Sequence, residues 1–270
     1  MRKMLFTPAE NVKLDEPISY AEYQKHINRY IFASKFVQNK AVLDVACGAG
    51  TGSRYLVNKG AGKVVGVDIS QEAIREAKTR NERGNEAEFV LSDAESLPFP
   101  SHFFGVVVSF ETIEHLKEPE RFLFECARVI KKGGIFICST PNKRIATPLF
   151  RRPSNPFHVK EFYPQEFFEL VGRYFSDAVA YGQCTLNLKD KLRLQTIGII
   201  ARILSTLPGG NRIRGVLRTI GRPILEEPYL PMFGQELDRM QDESYQVSPF
   251  QSSLLGTPEC VIVVAKARQE

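Results

Sequence analysis

VLDVACGAGTGSRYL, residues 42–56, is the stretch on which the fold turns. A short apolar run, AVLDVA (41–46), stops at Gly48, Gly50 and Gly52, and TGSRYLVNKG (51–60) then reads as a helix that ends at Gly60. A strand that breaks into glycines and passes at once into a helix is a βα turn built to lie against a ligand. Glycines let its backbone turn tightly and approach closely. KVVGVDI (63–69) is a second buried strand whose end carries Asp68, eighteen residues after Gly50. A carboxylate at that position accepts bonds from both hydroxyls of a ribose.

The pattern continues on both sides. ISYAEYQKHINRYIFASKFVQ (18–38) places Ile27, Ile31, Phe32 and Phe36 at helical spacing and predicts an N-terminal helical cap over 1–39. Ser70 is positioned to cap a helix in SQEAIREAKTRNERG. AEFVLSD (87–93), FFGVVVSF (103–110) and IFICST (135–140) read as strands, with a helix over PERFLFECARVIKKGG (119–134). YPQEFFELVGRYF (163–175) reads as a helix with Pro164 near its start, and DAVAYGQ (177–183) and ECVIVVAKA (259–267) as further strands. Short β-rich runs alternating with helices predict an α/β fold, a Rossmann-like doubly wound sheet of seven strands. The expected layout is one domain, with its core at 40–183 and 257–268 and a helical insertion at 184–256.

The bulk properties exclude several classes. The chain has 270 residues, 43% hydrophobic and 25% charged, which is ordinary globular composition. Its five cysteines show neither a C-x-x-C pair nor zinc-finger spacing, so they read as reduced thiols. MRKMLFTPAENVKLDEP lacks the apolar core of a signal peptide, and no run approaches the ~18 apolar residues of a membrane span. A cytoplasmic protein is expected. The net charge of +5 is local: eight basic residues between Lys189 and Arg222 face Asp190 alone.

The loop chemistry separates two cofactors. The dinucleotide fingerprint is G-x-G-x-x-G, which admits a pyrophosphate at a helix N-terminus. Here Ser53 occupies the last position, and Asp44 lies four residues before Gly48. A carboxylate beside the loop repels a pyrophosphate but suits the cationic amino group of a methionine. S-adenosylmethionine is the better match than NAD.

Residues 26–142 resemble class I S-adenosylmethionine-dependent methyltransferases, in the group that includes ubiquinone-type O-methyltransferases. The chain is still more similar to bacterial polysaccharide-associated methyltransferases. The resemblance rests on H-x-x-R-Y (His26 to Tyr30), VLDVACG-x-G, GVDIS, LPF, SFETIEHL, STPN and NPFHVKEF (155–162). It spans most of 18–182 and fades in 184–256. It implies that Asp44, Cys47, Gly48 and Gly50 line the methionine end of the cofactor, with Asp68 on the ribose and Ile69 on the adenine. Asp93, with Ala94, would reach the adenine amino group, unless Asp93 caps a helix before AESLPF. Phe110 and Glu111 would end the fourth strand beside the transfer site. Ala46 stands where many members have glycine. His26 and Tyr30 are expected either to cap the cofactor pocket or to pack the helix.

Glu111-x-x-Glu114-His115, with His158 downstream, forms a second constellation. Methyl transfer to an alcohol needs alignment and removal of the acceptor's proton. His115 suits the base, with Glu111, Glu114 and His158 around it. The same four side chains are also candidates for a divalent metal that acidifies a hydroxyl, as the resemblance to RNA-terminal 2′-O-methyltransferases and some quinone O-methyltransferases implies. A third reading has Glu114 and His115 merely ordering the loop.

The expected acceptor, on the resemblance, is a hydroxyl of a sugar, a glycan or a related small metabolite, free or lipid-linked. An RNA 2′-O-methyltransferase and a non-catalytic S-adenosylmethionine-binding regulator are the alternatives. Three readings fit the basic stretch 189–222: a lid, a peripheral contact with an anionic membrane or lipid-phosphate-linked glycan, or a nucleic-acid groove. Its lack of aromatic residues argues against a stacking surface for single strands.

Overall fold

The computed structural model describes residues 18–81, 87–147, 153, 155–183, 228–229, 247–250 and 258–269. Eight strands form one sheet: β1 (Ala41–Val45), β2 (Lys63–Asp68), β3 (Glu88–Leu91), β4 (Phe104–Phe110), β5 (Ile130–Pro141), β6 (Phe175–Gln183), β7 (Val247–Pro249) and β8 (Cys260–Ala267). Their order across the sheet is β3-β2-β1-β4-β5-β8-β6-β7. The first five run parallel, and β8 lies antiparallel to both β5 and β6. Ile18–Ser19 and Pro228–Tyr229 form a separate two-residue antiparallel pairing.

The helices are α1 (Tyr20–Ser34), α2 (Thr51–Asn58), α3 (Gln71–Thr79), α4 (Pro119–Val129), α5 (Lys143–Ala146) and α6 (Pro164–Gly172). Neighbouring residues of β1 face opposite ways, as strand geometry requires. Val42 joins Ile27, Tyr30, Leu56 and Ile74 under α1–α3, while Leu43 joins Phe122, Leu123, Phe136 and Phe167 under α4 and α6. With both faces covered, the central strands read as continuous apolar runs and not as alternation. Ser70 caps α3 as expected, its Oγ accepting from Ala73 N–H at 3.2 Å, and proline opens both α4 and α6.

Two boundaries differ from the sequence reading. The helix expected over 119–134 ends at Val129, because the carbonyls of Arg128 and Val129 accept the N–H groups of His102 and Phe103. Ile130 then pairs with Phe104, and the register resumes at Ile135 opposite Val106, so Lys131–Gly134 is a bulge in β5. The eighth strand, β7, comes from within the stretch read as insertion and pairs with Tyr181–Gln183 at the sheet edge. The basic stretch 189–222, with its expected amphipathic helices, lies outside the described residues.

Strand order reverses between β1 and β4: β2 and β3 extend one way from β1, and β5 extends the other way from β4. The crevice at the carboxyl ends of strands at such a switch point is where open α/β sheets bind ligands. The loops after β1, β2, β3 and β4 all open there.

Candidate active site

The loop after β1 carries the strain its glycines suggest. Gly48 and Gly50 have φ of 55° and 74°, and Ala46 has φ of 61°. That left-handed backbone explains why glycine is the more comfortable residue at Ala46, which bears a small penalty instead. The glycines are also shaped by the protein's own side chains. A Cβ on Gly50 would lie 2.4 Å from the Phe89 ring, and one on Gly52 would lie 2.0 Å from the Tyr30 ring. The third glycine therefore makes room for α1, which its spacing did not reveal.

Asp44, at the end of β1, is fully buried. Its Oδ2 accepts from Ser53 Oγ at 2.6 Å, and the Tyr30 hydroxyl lies 3.0 and 3.1 Å from its two oxygens. No cation pairs with it among the described residues. Burial lifts its carboxyl to about 7, against the two hydroxyl bonds that pull it down. A buried carboxylate with only neutral partners suits an ammonium ligand. Cys47 is buried beside it, and burial raises its thiol well above the ordinary range, so it contributes bulk and no thiolate.

Asp68 accepts from Gly48 N–H at 2.9 Å on Oδ2 and from Ser70 N–H at 2.8 Å on Oδ1. The Ile69 backbone also bonds this carboxylate, which still has acceptor capacity for a ribose hydroxyl. The same bonds tie the glycine loop to the end of β2. Ile69 is 43% exposed, and Leu91, whose Cα pairs with Asp68 across the strands, is 52% exposed. Two bare apolar side chains flank the carboxylate and offer a surface for a flat ring. Leu91 escaped the sequence reading because an exposed leucine has no pattern of its own. Asp93 is exposed, with Ala94 half-buried after it. Its Oδ1 accepts from Glu95 N–H at 2.9 Å, but residues 94–99 form no helix, so the helix-cap alternative falls away.

At the end of β4, Phe110 meets the Tyr30 ring edge-on at 4.9 Å. Glu111 follows with φ of 54°, a strained position for a residue with a side chain. Its Oε1 accepts from Ser139 Oγ at 2.7 Å and Cys260 Sγ at 3.2 Å, and it lies 3.7 Å from the Arg29 guanidinium. Glu111 is thus bound into the sheet ends and α1. It is not among the members of the expected set whose ligand atoms cluster, although its charge still acts on Glu114.

Glu114, His115 and His158 come together, each offering a ligand atom within 4.8 Å of the others. Glu114 is fully buried; Thr140 Oγ1 donates to its Oε2 at 2.9 Å, and Oε1 has no partner among the described residues. Burial first, and then the Glu111 charge, lift its carboxyl to about 8. The His115 and His158 rings meet edge-to-face at 4.9 Å. His115 Nδ1 lies 3.1 Å from the Phe157 carbonyl, which only accepts, so the proton sits on Nδ1 and the lone pair on Nε2. His158 Nδ1 lies 3.1 Å from Glu161 Oε1, and its Nε2 faces Asn155 Nδ2 at 3.1 Å. Asn155 Oδ1 accepts Phe157 N–H, which fixes the amide and makes Nε2 of His158 the acceptor.

Glu161 is the partner of His158 that the sequence did not reveal. It is buried, and although burial pushes its carboxyl up, the bond from His158 and nearby charge outweigh that and hold it low. The i,i+3 spacing in HVKE was the available cue. His26 packs 5.1 Å from Tyr30, and burial pushes its imidazole down to about 3, leaving it neutral. Among the described residues no helix is long and apolar enough to cross a membrane.

A family profile described as a methyltransferase domain matches residues 43–138. The chain is 37% identical over 135 residues to a "Probable S-adenosylmethionine-dependent methyltransferase" of Mycolicibacterium smegmatis, covering 48% of this chain and 49% of that protein. It is 34% identical over 123 residues to a ubiquinone biosynthesis O-methyltransferase of Coxiella burnetii, covering 45% and 52% of the two chains. The chain thus spans about half the length of the curated relatives it matches. A crystal structure of an S-adenosylmethionine-dependent methyltransferase from Thermotoga maritima superposes over 92% of both chains, with a TM-score of 0.58 and 14% identity, which speaks for the fold alone. The matched segment contains the whole glycine loop, Asp68, Asp93 and the Glu111–His115 turn. Residues 43–138 thus match a methyltransferase domain, and over that stretch the chain is similar to S-adenosylmethionine-dependent methyltransferases.

Proposed function

We propose that the protein moves a methyl group from S-adenosylmethionine to a hydroxyl oxygen of a sugar, a glycan or a related small metabolite. The observation that carries this reading is the His115 imidazole at the switch-point crevice, its Nδ1 proton fixed on the Phe157 carbonyl. The printed name of the Coxiella relative, an O-methyltransferase, supports oxygen as the acceptor atom. The sugar or glycan class follows from the resemblance to polysaccharide-associated enzymes. A fold by itself says little about substrate.

When bound, the cofactor supplies a methyl group on a sulfonium centre. Asp44 takes the ammonium, Asp68 accepts the ribose hydroxyls, and Ile69 with Leu91 offers apolar surface to the adenine. Cys47, Gly48 and Gly50 shape the loop, Asp93 and Ala94 stand at its adenine end, and Phe110 closes the floor. His115 receives the acceptor's proton at Nε2, with the buried Glu114 carboxyl beside it. His158, held by Glu161, orders the opposite wall. The partner is a small-molecule or lipid-linked acceptor in preference to nucleic acid, and the basic stretch 189–222 makes peripheral contact with a membrane from a cytoplasmic location.

One observation favours a second reading of the same turn. Glu114 has a buried oxygen without a partner among the described residues, and both imidazoles hold their Nδ1 protons on fixed acceptors, although a cation at His158 Nε2 would have to displace the Asn155 amide. Metal-binding histidines show that outer arrangement. Glu114, His115 and His158 would then hold a divalent cation, which acidifies a hydroxyl. Labelled methyl transfer from S-adenosylmethionine into fractionated cell extract, with and without chelator, tests both readings. Chelator-resistant label in the sugar or lipid fraction supports the imidazole base, whereas chelator-sensitive label supports the metal. Label confined to RNA overturns the acceptor class. Cofactor binding without any label points to a regulator.

A further inference from the structure

We infer that Tyr30 is a positioning residue for cofactor recognition: its phenol, with the Ser53 hydroxyl, keeps the Asp44 carboxylate ionised and aimed at an ammonium group. The inference rests on the reading of the β1 loop as the S-adenosylmethionine pocket. It assigns the N-terminal helix, which lies outside the matched domain, a part in binding.

The geometry is specific. Tyr30 O–H reaches both oxygens of Asp44, at 3.0 and 3.1 Å, and Ser53 Oγ reaches Oδ2 at 2.6 Å. The ring itself is held independently of that hydroxyl. It fills the space over Gly52, meets Phe110 edge-on at 4.9 Å and packs against His26. The phenol is therefore delivered to the carboxylate by a ring that has other reasons to stay in place.

Asp44 has little else to keep it charged. The groups that face it are Tyr30 from α1, Ser53 from α2, Cys47 from the loop and Asp68 from the end of β2. None of these is a cation. The nearby Arg29 guanidinium is directed to Gln183 at 3.2 Å and Glu111 at 3.7 Å. Burial and the Asp68 charge both favour the protonated acid, and only the two hydroxyl bonds oppose them. A protonated carboxyl has no charge to offer an ammonium. Losing one donor thus moves the group toward its useless form without altering the pocket's shape.

Tyr30→Phe in the full chain, titrated calorimetrically with S-adenosylmethionine and with an analogue lacking the α-amino group, tests this. The parent chain should bind S-adenosylmethionine more weakly as pH falls and Asp44 takes up a proton. In Tyr30→Phe that decline should begin about one pH unit higher, giving a ~5-fold loss at neutral pH that shrinks in alkali. The deaminated analogue should bind both chains weakly and show no such displacement. Ser53→Ala, which acts on the same carboxylate from another helix, should displace the decline in the same direction. An unmoved decline in both variants, or a loss of equal size at every pH, overturns the positioning role while leaving the pocket reading intact. A parent chain that binds no S-adenosylmethionine, or binds the deaminated analogue equally well, overturns the pocket reading and the inference with it.

Discussion

Gly52 and Tyr30 share one space: a methyl group on the Gly52 Cα would lie 2.0 Å from the Tyr30 ring. Gly52→Ala should therefore drive the ring off Asp44 and Phe110, costing about 1–3 kcal/mol of stability by urea unfolding. Tyr30→Ala removes the obstacle, so the double variant should lose less than the sum of the two single ones. Simple additivity would show that the two residues are independent.

Asp68 joins the glycine loop to the second strand and presents its remaining lone pairs to the crevice. Asp68→Ala should abolish S-adenosylmethionine binding, as read by calorimetry. Unchanged affinity would remove the ribose assignment.

His115→Ala should leave cofactor affinity intact and slow methyl transfer by ~10²-fold or more. The measurement is turnover at saturating cofactor. A variant as fast as the parent would take His115 out of the chemistry.

Glu161→Gln replaces the fixed acceptor of the His158 Nδ1 proton by an amide. Turnover should fall about 10-fold, within the range seen when an outer partner of a functional histidine is changed. Cofactor affinity should hold, since Glu161 bonds in the acceptor wall. Loss of binding and turnover together would mark Glu161 as a general structural residue.

The Asp44 carboxyl titrates near 7 in the folded chain against an ordinary value of 3.8. Across that window the folded state holds the proton more tightly than the unfolded one, so stability falls as pH rises and the cost is complete above about 7. Asp44→Asn should melt about 5 °C or more above the parent in mild alkali, with the gap closing as pH falls toward 4. The opposite tendency of neutral, buried His26 is present in both chains and cancels. Equal melting temperatures at alkaline pH would mean that Asp44 bears no burial cost.

The sheet and the glycine loop were legible because buried parallel strands leave runs such as AVLDV and FGVVVSF, and because Asp68 falls at a fixed distance from Gly50. The Lys131–Gly134 bulge was not legible. KKGG continues a helical pattern equally well, and the partners that end the helix, His102 and Phe103, lie in another segment. The meeting of Glu114, His115 and His158 was visible as residue types, but the separation of Glu111 was not. That depends on Ser139, Cys260 and Arg29, brought in from three distant elements. Glu161 and Leu91 were hidden for a related reason: their roles arise from neighbours across a turn or a strand pair.

Gln183 and Pro258 frame a door in the sheet. The chain leaves after β6, returns as the edge strand β7 and re-enters as β8, where Glu259 N–H donates to the Gln183 carbonyl at 3.0 Å. Gln183 Nε2 reaches the Lys25 carbonyl, and Lys25 pairs with Glu259 at 3.1 Å, so both edges of the door are latched to α1. Lengthening a loop whose ends are already joined costs little, because closure entropy grows only with the logarithm of its length. A replacement between these residues that keeps β7 and the Pro228–Tyr229 pairing should leave the cofactor half's geometry intact. The closed join between Gln183 and Glu259 is thereby a graft point at which a new segment adds little closure entropy.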